Sequence, residues 1–133
     1  MGKILGLDVG DVWTGTALSD ETKIIASPYK TIKTSELEQF ISSLLKKESL
    51  EKIVVGLPKT MRGTESQQTN KTISLKEKFE KKFPDITWIL WDERLTSKHA
   101  AKVKKTKKKE DKIASHSIAA AFILTSYLEH MIF

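Results

Sequence analysis

The residues of this 133-residue chain best suited to chemistry are acids that end two apolar runs. Asp8 closes the short run within Lys3–Gly10, and Asp92 and Glu93 directly follow the run Ile86–Trp91. A carboxylate buried at the end of a strand costs several kcal/mol unless it is paired, hydrogen-bonded or bound to a cation. An aspartate close to a glycine is also common in turns, so a purely local role for Asp8 stays open.

These acids favour a site for a hard cation. The chain has no cysteine, and carboxylate oxygens are the ligands that Mg²⁺ and Mn²⁺ prefer. Two such ions held about 3.5–4 Å apart can clamp the attacking and leaving oxygens of a phosphodiester. Because side chains alternate along a strand, Asp92 and Glu93 point to opposite faces, and only one of them can share a site with Asp8. Arg94 can pair with the other.

A lysine-rich segment of the chain can bind a polyanion. Lys102–Lys112 reads KVKKTKKKEDK, and its seven lysines and two acids carry +5 of the net charge of +6. Clustered basic charge is typical of nucleic-acid binding, although a solvated lysine loop kept for solubility is the alternative. We therefore expect nucleic acid as the partner. The candidate binding residues are Lys102, Lys104, Lys105, Lys107, Lys108 and Lys109, with Lys59, Arg62 and Arg94 nearer the acids.

The strands that must position the acids are predicted from apolar runs. Lys3–Gly10 and Ile53–Pro58 are apolar enough to be buried on both faces of a sheet. Gly15–Ser19 and Ile24–Ile32 follow the first run with short links, which predicts an antiparallel meander. Pro28 interrupts the third strand and favours a place at the sheet edge.

Helices are predicted between and after the later strands. Ser35 and Glu38 form a capping-box pattern at the start of the first helix. Further helices are expected from Ser66 to Phe83, from Thr96 or Ser97 to Val103, and over Ser117–Leu124. The apolar face of the first helix has the spacing of one buried stripe and consists of Leu37, Phe40, Ile41, Leu44 and Leu45.

The element order predicts an α/β fold. A strand, a helix and a buried strand in succession imply a crossover connection and parallel pairing. We expect a mixed five-stranded sheet, with a three-strand antiparallel meander and two parallel strands, flanked by helices in a single domain over residues 1–133. Ligands of such open sheets bind beyond the carboxyl ends of the parallel strands, where Asp8 and the Asp92–Glu93 pair fall.

Composition limits the setting of the protein. The absence of cysteine leaves no disulfide framework and fits a reducing cytoplasm. The N-terminal apolar run is too short for a signal peptide and is broken by Asp8. No run approaches the length that spans a bilayer, so no membrane partner is expected.

Four segments together resemble the sequence blocks of the YqgF family. They are GLDVGDVWTGTALSD at 6–20, VVGLPKTMRGTES at 54–66, WDERLTS at 91–97 and AAAFILTSYL at 119–128. The family is described as Holliday-junction-resolvase-like and as nucleases that mature the small-subunit ribosomal RNA precursor. The resemblance implies a ribonuclease H-like fold and a divalent-metal site built from three acids: on the first strand, in the DER segment and at the start of the last helix.

The resemblance assigns the site residue by residue. Asp8 corresponds to the first acid, and the second lies in the DER segment, where Glu93 is favoured and Asp92 is the second choice. The third acid of the pattern, three residues before the alanine pair, is replaced here by His116. A neutral imidazole can ligate a metal, but it removes one negative charge. The implied metal ligands are therefore Asp8, Glu93 and His116, and the implied ion is Mg²⁺ or Mn²⁺.

The function implied by the resemblance is a metal-dependent endonuclease that processes the 5′ end of the 16S rRNA precursor. A Holliday-junction resolvase and a nucleic-acid-binding module with a decayed catalytic site remain alternatives, and either a monomer or a homodimer is compatible with them. A strand ending in Asp-x-Gly also opens sugar-kinase and actin-like ATPase domains, but 133 residues leave no room for their second lobe.

Overall fold

The computed structural model describes residues 2–57, 67–92 and 109–132, with side chains at 2–57, 68–92 and 116–131. The described part contains five strands, three α-helices and a short 3-10 turn. In chain order they are β1 (Lys3–Val9), β2 (Trp13–Ser19), β3 (Ala26–Lys33), the 3-10 turn (Thr34–Glu36), α1 (Leu37–Lys47), β4 (Leu50–Leu57), α2 (Gln67–Lys82), β5 (Thr87–Asp92) and α3 (Lys109–Ile132).

The five strands form one mixed sheet in the order β3-β2-β1-β4-β5. β1, β2 and β3 pair antiparallel, whereas β4 pairs parallel with both β1 and β5. The predicted meander and parallel pair are therefore confirmed. Pro28 lies on β3 at the sheet edge, where a residue without an N–H removes no central ladder bond.

Alternation along the strands divides the core into two layers. On one face, Leu5 and Leu7 of β1 pack with α1 and α2, through residues such as Ile41 and Phe79. On the other face, Ile4 packs with α3. The sheet is thus covered by helices on both faces, and each residue of β1 can be assigned to the α1–α2 layer or to the α3 layer.

The start of α1 differs from the prediction. The capping box of Ser35 and Glu38 is wrong, because Glu36 is the N-cap of α1 and no side chain caps the helix. The chain first makes the 3-10 turn, and Thr34 is tied to the β1–β2 turn by its hydroxyl and its backbone N–H. Because these hydrogen bonds hold Thr34 against the β1–β2 turn, α1 begins at Leu37, later in the chain than the capping-box pattern predicts.

The last helix is longer than predicted. α3 covers Lys109–Ile132, not only Ser117–Leu124. Apolar periodicity marks only the buried part of a helix, and no glycine or proline stops the helix over the rest of this range. No helix in the described ranges has the length and hydropathy needed to cross a membrane. The helix predicted from Thr96 or Ser97 to Val103 lies outside the described residues.

Candidate active site

The position of Asp8 follows from the β1 register. Asp8 shares the α3 face of the sheet with Ile4 and Gly6, and its cross-strand partner on β2 is Gly15. A Cβ atom placed on Gly15 would lie 1.9 Å from the backbone oxygen of His116. Only a glycine therefore lets α3 rest directly on the strand beside Asp8.

This close approach brings two of the predicted site residues together. Nδ1 of His116 lies 3.7 Å from Oδ2 of Asp8, and the two side chains are 35% and 16% exposed. The pair is therefore partly shielded but reachable from solvent, at the carboxyl end of β1. A shielded carboxylate beside an imidazole is a donor set that can hold a cation or a proton.

The register places Asp92 on the other face. Trp91 pairs with Gly56 and packs in the α3 layer, where its ring contacts Tyr127 at a centroid distance of 5.3 Å. Asp92 is the next residue of β5, so alternation turns its side chain toward the α1–α2 layer, away from Asp8. Glu93, the favoured acid, and Arg94 lie outside the described residues.

The β1–β2 turn next to Asp8 is held from two sides. The hydroxyl of Thr34 donates to the Gly10 carbonyl at 2.7 Å, and the Thr34 N–H donates to the Val12 carbonyl at 2.9 Å. From α2, the amide of Gln68 donates to the Val9 carbonyl at 3.2 Å. Sequence reasoning missed both supports, because neither residue is near the turn in the chain and no local motif marks these bonds.

A cation that the sequence did not single out lies beside the same turn. Nζ of Lys71 on α2 is 3.3 Å from Oδ1 of Asp11, and both side chains are well exposed. The predicted nucleic-acid-binding residues lie outside the described side chains, although the backbone of Lys109 begins α3. They are Lys59, Arg62, Arg94, Lys102, Lys104, Lys105, Lys107, Lys108 and Lys109.

The donor atoms present fit part of a divalent-metal site. Within residues 2–57, 68–92 and 116–131, no cluster of three or more His, Cys, Asp or Glu side chains forms a complete site. Asp8 and His116 contribute one carboxylate and one imidazole. Mg²⁺ is commonly held by only one or two carboxylates together with water and substrate phosphates, so a third protein ligand from the DER segment would suffice.

Comparison with known proteins gives the family. The family model described as "RuvX: Holliday junction resolvase" matches residues 2–130. Proteins named "Putative pre-16S rRNA nuclease" are similar over nearly their whole length. The one from Rubrobacter xylanophilus is 34% identical, covering 96% of this chain and 93% of the relative. The one from Christiangramia forsetii is 40% identical, covering 96% and 98%.

Solved structures give the fold. Thermus thermophilus RuvC in complex with Holliday junction substrate superimposes with a TM-score of 0.61 at 13% identity, covering 99% of this chain and 96% of RuvC. The Fowlpox virus resolvase bound to Holliday junction DNA gives a TM-score of 0.54 at 10% identity, covering 98% and 99%. The ribonuclease H-like fold predicted from the sequence is thereby confirmed. With a family match over residues 2–130, this chain belongs to the RuvX Holliday junction resolvase family, as its likeness to YqgF proteins indicated.

Proposed function

We propose that the protein is a divalent-metal-dependent endonuclease that cleaves a phosphodiester of structured RNA, processing the 5′ end of the 16S rRNA precursor in the cytoplasm. The observation that carries the proposal is the meeting of Asp8 and His116 at the carboxyl edge of the parallel strands. The names of the relatives that match nearly the full chain support the choice of substrate.

Each site residue has a distinct role in this proposal. Asp8, Glu93 and His116 would hold Mg²⁺ or Mn²⁺, which when bound activates water and stabilises charge on the scissile phosphate. Asp8 lies between Leu7 and Val9, both buried, so the strand would hold its backbone in place before substrate arrives. The close packing of α3 on Gly15 positions His116, which supplies an imidazole nitrogen where the resemblance implies a third acid.

The choice of Glu93 as second acid rests on the register. β5 alternates up to Asp92, whose side chain turns away from Asp8, so Glu93 is the DER-segment acid that we assign to the site. The lysine run 102–112 would bind the nucleic-acid backbone without reading its sequence, as clustered basic charge does.

Replacing Asp8 tests the proposal. Purified protein is expected to cleave precursor RNA with Mg²⁺ or Mn²⁺, and Asp8→Asn is expected to lower the rate at least about 100-fold, because the loss of several kcal/mol of charge stabilisation has that effect. Circular dichroism and urea unfolding check that the variant keeps its fold. Cleavage by Asp8→Asn at the parental rate would contradict the proposal.

A matched pair of variants tests the second acid. Glu93→Gln is expected to lose cleavage as Asp8→Asn does, whereas Asp92→Asn keeps it within a few-fold. Each change keeps the size of its side chain and removes one negative charge, and the two positions are adjacent in the chain, so the pair compares the two candidate acids directly. The opposite result would assign the ligand to Asp92.

Two other functions are separated by the same assay. The family description favours a four-way DNA junction as the alternative substrate, so precursor RNA and a junction of equal length are compared side by side. His116 in place of an acid favours a decayed site as the other alternative. Binding of RNA without cleavage at any concentration of either metal would support that reading.

A further inference from the structure

The first turns of α2 are fixed against the site. The side-chain amide of Gln68 donates to the carbonyl of Val9, the residue after Asp8. Thr69 and Thr72 are fully buried, and the Thr72 hydroxyl donates to the Gln68 carbonyl at 2.8 Å. Lys71 is three residues after Gln68 and therefore projects from the same side of the helix. The helix thus carries the Lys71 ammonium to the β1–β2 turn.

The ion pair that Lys71 forms with Asp11 is weak, because both side chains are well exposed to water. Nζ of Lys71 lies 3.3 Å from Oδ1 of Asp11, and the side chains are 63% and 64% exposed. Exposed ion pairs of this kind contribute little to stability, because water and salt screen the charges. A backbone phosphodiester, like a carboxylate, has one negative charge and two non-bridging oxygens that accept charge-assisted hydrogen bonds from an ammonium. Exchange of the carboxylate for a phosphate is therefore energetically inexpensive.

The turn itself has an acid and no base at residues 11–14, where the sequence is DVWT. Its backbone is held by Thr34 at the Gly10 and Val12 carbonyls. At this turn the exposed charged side chains of Asp11 and Lys71 lie in contact, where an incoming phosphate can reach both.

We propose that Lys71 binds a backbone phosphate of the nucleic acid beside the scissile one, and that Asp11 holds the ammonium in the free protein and competes with that phosphate. The identity of the ligand as nucleic acid rests on the proposed function. In this role Lys71 sets the position of the nucleic-acid strand along the site. Asp11 weakens the binding of any ligand whose phosphate cannot displace the Asp11 carboxylate from Lys71.

Binding by the Asp8→Asn protein provides the test, because it is measured without cleavage. Duplex RNA and a four-way DNA junction are titrated over a salt series. In that background Lys71→Gln is expected to weaken binding several-fold and to reduce the slope of log K against log salt by about 1, the value for one phosphate contact. Whichever of the two nucleic acids shows the larger loss identifies the source of the phosphate.

A second lysine of the same helix is the control. Lys82 ends α2 and forms a 2.6 Å exposed ion pair with Glu38, so Lys82→Gln removes the same charge from a comparable pair. The two lysines are eleven positions apart, about 16 Å along the helix. Lys82→Gln is expected to leave the salt slope unchanged, and an equal drop in both variants would overturn the proposal by showing a general charge effect.

The competition by Asp11 is tested as a double-mutant cycle. Asp11→Asn is expected to tighten binding several-fold when Lys71 is present and to have much less effect when Lys71 is glutamine. If Asp11→Asn tightens binding equally with and without Lys71, Asp11 does not compete with the phosphate for Lys71, and the proposed exchange is wrong.

The outcome of the cleavage assay is separate from these results. Cleavage by the parent chain with unaltered binding by Lys71→Gln overturns this inference and leaves the nuclease standing. If Lys71→Gln weakens binding but the parent chain cleaves with neither metal, this inference stands and the nuclease proposal is overturned. A parent chain that binds neither nucleic acid overturns both.

Discussion

At the scale of single residues, the candidate site that we propose is centred on Asp8 and His116, whose side chains lie close together. The imidazole lies 3.7 Å from a partly buried carboxylate, at a position where the resemblance to YqgF proteins implies an acid. A neutral histidine can donate a lone pair to a metal, but it does not add the negative charge that holds a hard ion strongly. The pair should therefore bind Mg²⁺ more weakly than two carboxylates at the same place.

Restoring the acid tests this view. His116→Asp is expected to preserve or raise magnesium-dependent cleavage, and to lower the Mg²⁺ concentration needed for half-maximal rate by up to about tenfold, since ligand-shell changes alter metal affinity on that scale. Isothermal titration of metal into the protein gives a readout independent of activity. Unchanged metal affinity in His116→Ala would remove residue 116 from the ligand set.

At the scale of elements, glycines control how closely α3 approaches the sheet. Gly15 on β2 faces the backbone of His116, and Gly6 on β1 faces Leu124 and Ala120. A side chain at either position would lift the helix from the strands. Because His116 reaches Asp8 only through this contact, the packing of an element decides the geometry of the site.

Adding one methyl group at each glycine gives a graded prediction. Gly15→Ala is expected to lower the free energy of unfolding by about 3 kcal/mol or more, because its Cβ would lie 1.9 Å from a backbone oxygen that cannot move aside. Gly6→Ala places its Cβ 2.9 Å from Cβ of Leu124 and is expected to cost less.

Urea unfolding of the two variants measures the difference. The cleavage rate per folded molecule should fall more in Gly15→Ala, because that change displaces His116. A larger loss of stability in Gly6→Ala would contradict this account of the helix seating.

At the scale of the whole molecule, charge is distributed unevenly along the chain. The net charge is +6, and residues 102–112 carry +5 of it. A chain with this asymmetry attracts a polyanion mainly through one segment, which accelerates association and makes it depend on salt.

Neutralising that segment gives the prediction at this scale. Replacement of four lysines between Lys102 and Lys109 by glutamine is expected to weaken binding to all sequences alike and to reduce the salt slope by about 4. Fluorescence anisotropy on unrelated RNA sequences is the measurement. Replacement of the four α2 lysines other than Lys71, which are Lys76, Lys78, Lys81 and Lys82, is the charge-matched control. An unchanged slope would identify the run as a solvated loop kept for solubility.

Local sequence patterns correctly predicted most of the described strands and helices. The predictions failed where contacts between distant parts of the chain determine the structure. The strand predicted from Ile53 onward agrees with β4 as far as Leu57, because a short apolar run is typical of a strand buried on both faces of a sheet. The capping box at Ser35 failed because Thr34 is tied to a turn from another part of the sheet. Lys71 could not be singled out, because its partner Asp11 is sixty residues away.

The sequence by itself determined the order of strands and helices and the mixed α/β sheet, and its resemblance to YqgF proteins implied the ribonuclease H-like class and the candidate site acids. The spacing of apolar residues and the residue types of short motifs depend only on residues close together in the chain, so both can be recognised from the sequence. Only the tertiary structure decided that Asp8 meets His116, that Asp92 turns to the opposite face and that Lys71 lies beside the turn. Those facts depend on strand register and on how closely α3 rests on Gly15, which are set by packing between segments far apart in the chain.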